Sequence, residues 1–286
     1  MISESLDPAD LFTVKGLVAV VTGGGTGIGL MIAKALEANG ATVYVVGRRQ
    51  EVLSKAAEQA KHGNIIPLRG DVTSKTDLSR IINTISERSG YINVLVANSG
   101  ITGPSIHDIP ANASLSEFAS HLWNSDIDDF NRTYMVNTSA VFFTIAGFLD
   151  LLGKGNEKGN VKQSSQVIAT SSIGAFNRVP LAGYAYGSSK AAVTHMMKQF
   201  ATNLAKYKIR SNIIAPGLYP SEMTAHYFKE MNEKGWSKDF IPEERAGTIE
   251  DMAGAILFLA SKAGAYVNGN VLITDGGRLS IIPATY

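Results

Sequence analysis

A short apolar run, Leu17-Val18-Ala19-Val20-Val21, leads straight into Thr22-Gly23-Gly24-Gly25-Thr26-Gly27-Ile28-Gly29. Leu30 to Asn39 then carries apolar residues at helical spacing and ends at Gly40. A continuous apolar run of this length reads as a buried strand, and the spacing that follows reads as a helix with a glycine stop. Glycines in a strand-to-helix turn let a ligand approach the backbone closely. The helix N-terminus adds free N–H groups and a partial positive charge, which suit a pyrophosphate. No lysine follows the last glycine, so the turn is not a P-loop. A tight structural turn is the plain alternative for the glycines alone, and the strand–turn–helix context favours a nucleotide.

The next strand, Thr42 to Val46, ends in Gly47-Arg48-Arg49 with no acid. An acid there would hold a ribose 2′-hydroxyl, whereas an arginine suits a 2′-phosphate. Arg48 and Arg49 therefore point to NADP(H) over NAD(H), with two solvated arginines opening a helix as the alternative. Helix and strand signals then alternate. Glu51 to Lys61 reads as a helix, Asn64 to Leu68 as a strand closing in Gly70-Asp71-Val72, Ser74 to Arg88 as a helix, and Ile92 to Ala97 as a strand ending Asn98-Ser99-Gly100. Such alternation implies right-handed crossovers and a parallel sheet covered on both faces. Ligands of such sheets bind beyond the carboxyl ends of the strands. Gly23, Arg48, Asp71 and Asn98 all fall there, although Asp71 also suits a turn cap. Ile101 to Asn124 reads as a looser polar connection, Asp126 to Leu152 as one long helix holding Asn137, and Gly153 to Ser165 as an exposed loop.

Gln166 to Thr170 is a further strand ending in Ser171-Ser172, and Tyr186-Gly187-Ser188-Ser189-Lys190 opens another helix. Residues four apart share a helix face, so the Tyr186 phenol and the Lys190 ammonium point into one space. A nearby cation is expected to lower the phenol pKa and fit it for proton transfer. Ser172, at its strand end, offers a hydroxyl to a carbonyl oxygen beside that phenol. Taken alone, the pair reads better as a surface tyrosine beside a solvated lysine, and Ser172 as a turn or cap serine; together with the glycine turn the pattern is specific.

Composition narrows the field. With 26 basic and 25 acidic residues in 286, the net charge is +1, and no basic block suggests a nucleic-acid partner. The chain has no cysteine, which excludes disulfides, thiolate metal sites and a cysteine nucleophile. No metal site is expected. Met1 to Lys15 lacks a signal pattern, and the apolar runs read as too short to span a bilayer. No repeat or linker divides the chain. The expectation is one cytoplasmic α/β domain, residues 1–286, with an N-terminal extension at 1–15 and a substrate lid at 218–241.

With these motifs in hand, the sequence resembles the short-chain dehydrogenase/reductase family, in its single-domain branch, from about Gly16 to Gly277. Thr22-Gly23-x-x-x-Gly27-x-Gly29 is similar to that family's cofactor turn, Gly70-Asp71-Val72 to its adenine-contacting segment, and Asn98-Ser99-Gly100 to its Asn-Ala-Gly motif. Asn137, Ser172, Tyr186 and Lys190 match its catalytic tetrad, and Pro216-Gly217 its turn after the sixth strand. The resemblance implies a Rossmann fold with a mostly seven-stranded parallel sheet. It implies NADP(H) held by Gly23, Gly25, Thr26, Gly27, Ile28, Gly29, Arg48, Arg49, Asp71, Val72, Asn98, Gly100, Tyr186, Lys190, Pro216, Gly217 and Ser221. It makes Tyr186 the general acid or base, has Ser172 polarise the carbonyl, and has Lys190 bind the nicotinamide ribose and tune the phenol. Asn137 would hold a water linking Lys190 to solvent. Homo-oligomers, tetramers or dimers, are implied too.

Four departures stand out. Thr26 replaces an arginine that many NADP-using members carry, Ser99 replaces an alanine, and Ser221 stands where a threonine often contacts the carboxamide. The spacing from Ser172 to Tyr186 is one longer than usual, which keeps Ser171 as an alternative. Arg245 to Thr248 and Thr274 to Gly277 resemble 3-oxoacyl-carrier-protein reductases. Phe176, Leu181, Tyr184, Tyr219, Tyr227, Phe228 and Trp236 flank the expected substrate region, where they either suit an apolar or aromatic ketone or pack the lid itself. The rival readings are a non-catalytic NADP(H)-binding sensor or scaffold on the same fold and a sugar-nucleotide epimerase or dehydratase.

Overall fold

The computed structural model describes residues 6–180 and 182–286; the side chains of His226, Tyr227, Glu230, Asn232 and Lys234 lie outside the description. Leu181 and Tyr227, named above as flanking substrate, are therefore outside the described residues. Among those described, seven strands form one parallel sheet: β1 Val18–Thr22, β2 Thr42–Gly47, β3 Ile65–Arg69, β4 Val94–Ala97, β5 Gln166–Thr170, β6 Arg210–Pro216 and β7 Val271–Thr274. Their spatial order is β3-β2-β1-β4-β5-β6-β7. The order reverses between β1 and β4, the switch point where ligands of doubly wound sheets bind.

The strands are apolar on both faces because helices cover both. Val18 and Val20 face one core with Leu95 and Ala97, while Ala19 and Val21 face the other with Val94 and Val96. Alternating side chains of one strand thus feed two cores. The first core is filled from α4 (Lys75–Arg88), α7 (Ala140–Lys158) and α8 (Tyr184–Leu204). The second is filled from α2 (Gly27–Ala38), α3 (Gln50–Ala57) and α10 (Ile249–Ala260). The remaining helices are the short α1 (Pro8–Leu11), α5 (Leu115–Trp123), α6 (Ile127–Tyr134) and α9 (Ala225–Lys234).

Four expectations change. The connection before the long helix holds α5, begun by a capping box in which Ser114 and Glu117 satisfy each other's backbone N–H groups. The long helix is α6 and α7 joined by a π-helical turn, Met135–Ser139, and it runs to Lys158. Gly159, at φ 60°, stops it, so the exposed loop is shorter than the glycines at 153 and 155 suggest. Contrary to the reading of short apolar runs, Ile127–Lys158 is long and apolar enough, by length and composition alone, to cross a bilayer. Its inner face, Val141, Ile145, Phe148 and Leu152, is buried on the sheet, and Phe142 and Phe143 remain exposed.

Candidate active site

Beyond the carboxyl ends of the strands lies a cavity of about 610 Å³. One end is the glycine turn. Gly23 has φ +64°, and a Cβ on Gly29 would lie 2.2 Å from the Gly23 carbonyl oxygen and 2.5 Å from Asn98 Nδ2. Only glycine fits there, because α2 starts against the end of β1. Asn98 holds the two strand ends together: its Nδ2 donates to the Thr22 carbonyl at 3.0 Å, and Thr22 Oγ1 accepts from the Asn98 N–H at 3.0 Å. Thr26, the N-cap of α2, makes no side-chain capping bond, so that helix end is left open to the cavity.

The edges of this end are charged. Arg48 is exposed, lines the cavity and has no side-chain partner among the described residues. Arg49 lines it too, but its Nη2 donates to both carboxylate oxygens of Glu222 at 3.0 Å. Asp71 Oδ1 accepts from the Thr73 N–H at 2.9 Å and its hydroxyl at 2.7 Å, so this side chain caps its own turn while bordering the cavity beside Val72. Pro216 ends β6, and Gly217 donates to the Thr274 carbonyl at 2.9 Å. Ser221 Oγ pairs with Thr224 Oγ1 at 2.9 Å and lines the cavity over Gly27.

The other end is built by α8 and β5. Lys190 is 4% exposed, and its Nζ donates to the Thr170 carbonyl at 2.8 Å. Burial lowers its ammonium to about 8. Tyr186 lies one turn earlier, with Lys190 Nζ 5.8 Å from its ring centre. Burial raises the phenol pKa, and a hydrogen bond with Ser172 acts the other way. The expectation that the lysine lowers the phenol pKa is thus overturned in this geometry: desolvation dominates, and the phenol stays protonated at neutral pH. Ser172 Oγ accepts from the Gly174 N–H at 3.0 Å. Ser171 also borders the cavity, but its hydroxyl is engaged with α8, donating to the Lys190 carbonyl at 3.1 Å and lying 2.7 Å from Thr194 Oγ1.

Asn137 is fully buried in the π turn. Its Oδ1 accepts from the Ile101 N–H at 2.9 Å, and its Nδ2 donates to the Ile101 carbonyl at 3.0 Å and to Ser189 Oγ at 3.0 Å. Both amide protons of this side chain go to protein groups, and it ties the chain after Gly100 to α8. Among the described residues, no cluster of metal-ligating side chains is present.

The cavity also has walls the sequence did not announce. Arg132, on α6, and Met135 and Val136, in the π turn, line it. Thr170 Oγ1, at the end of β5, is buried without a hydrogen-bond partner. Neither Arg132 nor Glu222 belongs to a spaced motif, so only the fold brings them in. Of the described aromatics named for substrate, only Tyr219 borders the cavity, 3% exposed and packed into the second core. Phe228 packs on Trp236 with ring centres 5.6 Å apart, and Phe176 packs on Tyr286 at 5.0 Å.

An open helix end, a turn that admits no Cβ and an orphaned hydroxyl together fit a bound dinucleotide. Comparison with known proteins agrees with this architecture. The family model described as Enoyl-(Acyl carrier protein) reductase matches residues 23–278. The short-chain dehydrogenase/reductase PhomF of Diaporthe leptostromiformis is 61% identical, covering 100% of this chain and 99% of that one. A protein of Pseudomonas aeruginosa named for rhamnolipid biosynthesis as a 3-oxoacyl-[acyl-carrier-protein] reductase is 31% identical over 93% of this chain and 97% of its own. The solved Pseudomonas aeruginosa RhlG/NADP active-site complex superposes with a TM-score of 0.81 at 30% identity, covering 94% of this chain and 98% of that one. The chain belongs to the short-chain dehydrogenase/reductase family of alcohol–carbonyl oxidoreductases.

Proposed function

We propose that this protein is an NADP(H)-dependent reductase that interconverts a ketone and a secondary alcohol, with Tyr186 as general acid. The observation that carries the reading is the convergence of Ser172, Tyr186 and Lys190 on a cavity whose far end is the open N-terminus of α2. The glycine turn, with Thr26, Ile28 and Asn98, would hold the pyrophosphate, and Arg48 and Arg49 the 2′-phosphate. Asp71 and Val72 would border the adenine, and Gly100, Pro216, Gly217 and Ser221 the nicotinamide half. When bound, the nicotinamide supplies or accepts hydride. The protein's share is proton transfer and orientation. Tyr186 Oη gives its proton to the carbonyl oxygen, which suits a phenol kept protonated by burial. Ser172 Oγ donates a second hydrogen bond to that oxygen. Lys190 keeps a positive charge beside the phenol, and Asn137 positions the helix that carries Tyr186 and Lys190.

The substrate reading is a 3-oxoacyl or polyketide-like ketone with an apolar or aromatic body. It is supported by the Pseudomonas relative named for 3-oxoacyl reduction and by the apolar wall that Met135, Val136 and Tyr219 give the cavity. We further read the whole chain as one domain with residues 218–241 as its lid, cytoplasmic, and assembled as a homotetramer or homodimer. The exposed Phe130, Met135, Phe142 and Phe143 along α6 and α7 support self-association.

Following NADPH absorbance over a panel of ketones and 3-oxoacyl thioesters tests this directly. Tyr186→Phe should lower kcat by about 10²–10⁴-fold while leaving NADPH affinity unchanged, because the phenol acts on the proton. Unaltered turnover in that variant would remove Tyr186 from the chemistry. Tight NADPH binding with no turnover of any carbonyl by the wild type would favour a non-catalytic sensor.

A further inference from the structure

The ion pair between Arg49 and Glu222 joins residues 173 apart in sequence, across the mouth of the cavity. Arg49 follows β2; Glu222 opens the single 3-10 turn Glu222–Thr224 from which α9 departs. The two side chains are 53% and 64% exposed, so the pair adds little to the stability of the fold. Its geometry is selective. One nitrogen, Nη2, serves both carboxylate oxygens at 3.0 Å, while Nε and Nη1 have no partner among the described residues. A guanidinium presents its donors on distinct edges and can serve two anions at once.

The far side of the pair is braced. Thr224 Oγ1 donates to the Tyr219 carbonyl at 2.6 Å and meets Ser221 Oγ at 2.9 Å, which ties the turn to the end of β6. A Cβ on Gly27 would lie 3.0 Å from Ser221 Cβ, so the same turn rests on the glycine cradle. A pull on Glu222 is therefore transmitted to the start of α9.

We propose that Glu222 is a positioning residue that lets the lid read the cofactor's 2′-position: Arg49 holds a 2′-phosphate with its free edge and Glu222 with the other, so a 2′-phosphorylated nucleotide pins the arginine and tightens its hold on the first turn of the lid, whereas an unphosphorylated one leaves the exposed pair as it stands here. The inference rests on the NADP(H) reading above. It makes cofactor choice a determinant of substrate-side order as well as of affinity.

Hydrogen exchange of the segment 222–240 in the full-length protein tests it, with saturating 2′,5′-ADP or 5′-ADP as probes and calorimetry for their affinities. In the wild type, 2′,5′-ADP should slow exchange of this segment about two- to fivefold more than 5′-ADP does, the size of an exposed ion pair. Glu222→Gln should erase that difference while keeping the calorimetric preference for 2′,5′-ADP. Arg49→Ala should weaken both. Equal protection by the two probes, survival of the difference in Glu222→Gln, or faster lid exchange with 2′,5′-ADP would overturn the inference and leave the NADP(H) reading standing. Equal affinity of the wild type for both probes would sink the NADP(H) reading itself, and this inference with it.

Discussion

The two ends of the cavity are held in place by different means. The dinucleotide end is made of short turns rooted in buried strands. Gly23, Arg48, Asp71 and Asn98 each lie within two residues of a strand terminus, and the sheet fixes their positions. The substrate end is bounded by long connections: the chain from Ile101 to Asp126, the segment after Ser172, the lid and the C-terminal residues. These are fastened to the body by contacts between residues far apart in sequence, such as Thr285 on Phe176 and Glu222 on Arg49. A cradle built from local geometry tolerates almost no change in backbone, whereas a wall built from side-chain clasps can move without disturbing the sheet. That division suits a fold that keeps one cofactor site and varies its substrate.

The sharpest way to break the comparison is at Gly29. A methyl there would meet the Gly23 carbonyl oxygen at 2.2 Å, and neither backbone segment can yield without moving a core strand or α2. Gly29→Ala should weaken dinucleotide binding by about 10²-fold, the scale of an ångström-sized misplacement. Gly153→Ala is the matched control. Gly153 lies within α7, and a Cβ there meets nothing within 4 Å. It should leave binding alone and stabilise the protein by about 0.5–1 kcal/mol, as alanine for glycine does inside a helix. Calorimetric titration and thermal melts read both. Native affinity in Gly29→Ala would show that the cradle yields after all.

A smaller effect comes from pH, at the seam between the two ends. Burial holds the Lys190 ammonium at about 8, below the 10.5 of an ordinary lysine. Above pH 8 the folded protein loses this charge, and kcat/KM for ketone reduction should fall by up to about tenfold per pH unit. The sign for stability is opposite. Between about 8 and 10.5 the unfolded chain binds the proton and the folded one does not, so this group's contribution to stability rises with pH. Falling activity with undiminished thermal stability across that window separates titration of the site from unfolding. Activity flat to pH 10 would mean that the charge on Lys190 is dispensable.

The same division sets what the amino-acid sequence reveals. Strands, crossovers and strand-end residues are legible because continuous apolar runs, helical spacing and glycine placement are local signals, and the burial of every residue from Val18 to Val21 follows from them. Tyr186 and Lys190 are legible because helix geometry alone puts residues four apart on one face. The α5 helix escaped because its polar residues mask a capping box, and the length of the long helix because Gly153 and Gly155 sit inside it unbroken. Arg132, Glu222 and the pairing of Asn137 with Ile101 depend on distant chain segments meeting, which no spacing encodes. The direction of the phenol shift is hidden from the sequence for a related reason: spacing gives the neighbour, and only the packed fold gives the desolvation.

The gentlest test concerns the C-terminal residues, which brace the substrate end from outside the cavity. The Arg178 N–H donates to the Pro283 carbonyl at 2.8 Å and the Thr285 N–H to the Phe176 carbonyl at 2.8 Å, making a two-segment antiparallel bridge. Tyr286 packs its ring on Phe176 and donates its hydroxyl to the Val271 carbonyl at 3.2 Å, anchoring the bridge to the last strand. The bridged segment begins four residues after Ser172, and Gly174 between them lies against the Tyr186 ring. Removing Pro283 to Tyr286 should therefore loosen the segment that carries Ser172 without touching the glycine cradle. The expected result is a ketone KM raised about threefold, with NADPH affinity within experimental error of wild type, because the lost contacts hold only a surface segment. A parallel loss of NADPH affinity would show that the tail supports the dinucleotide end as well, and that the two ends are less independent than their contacts imply.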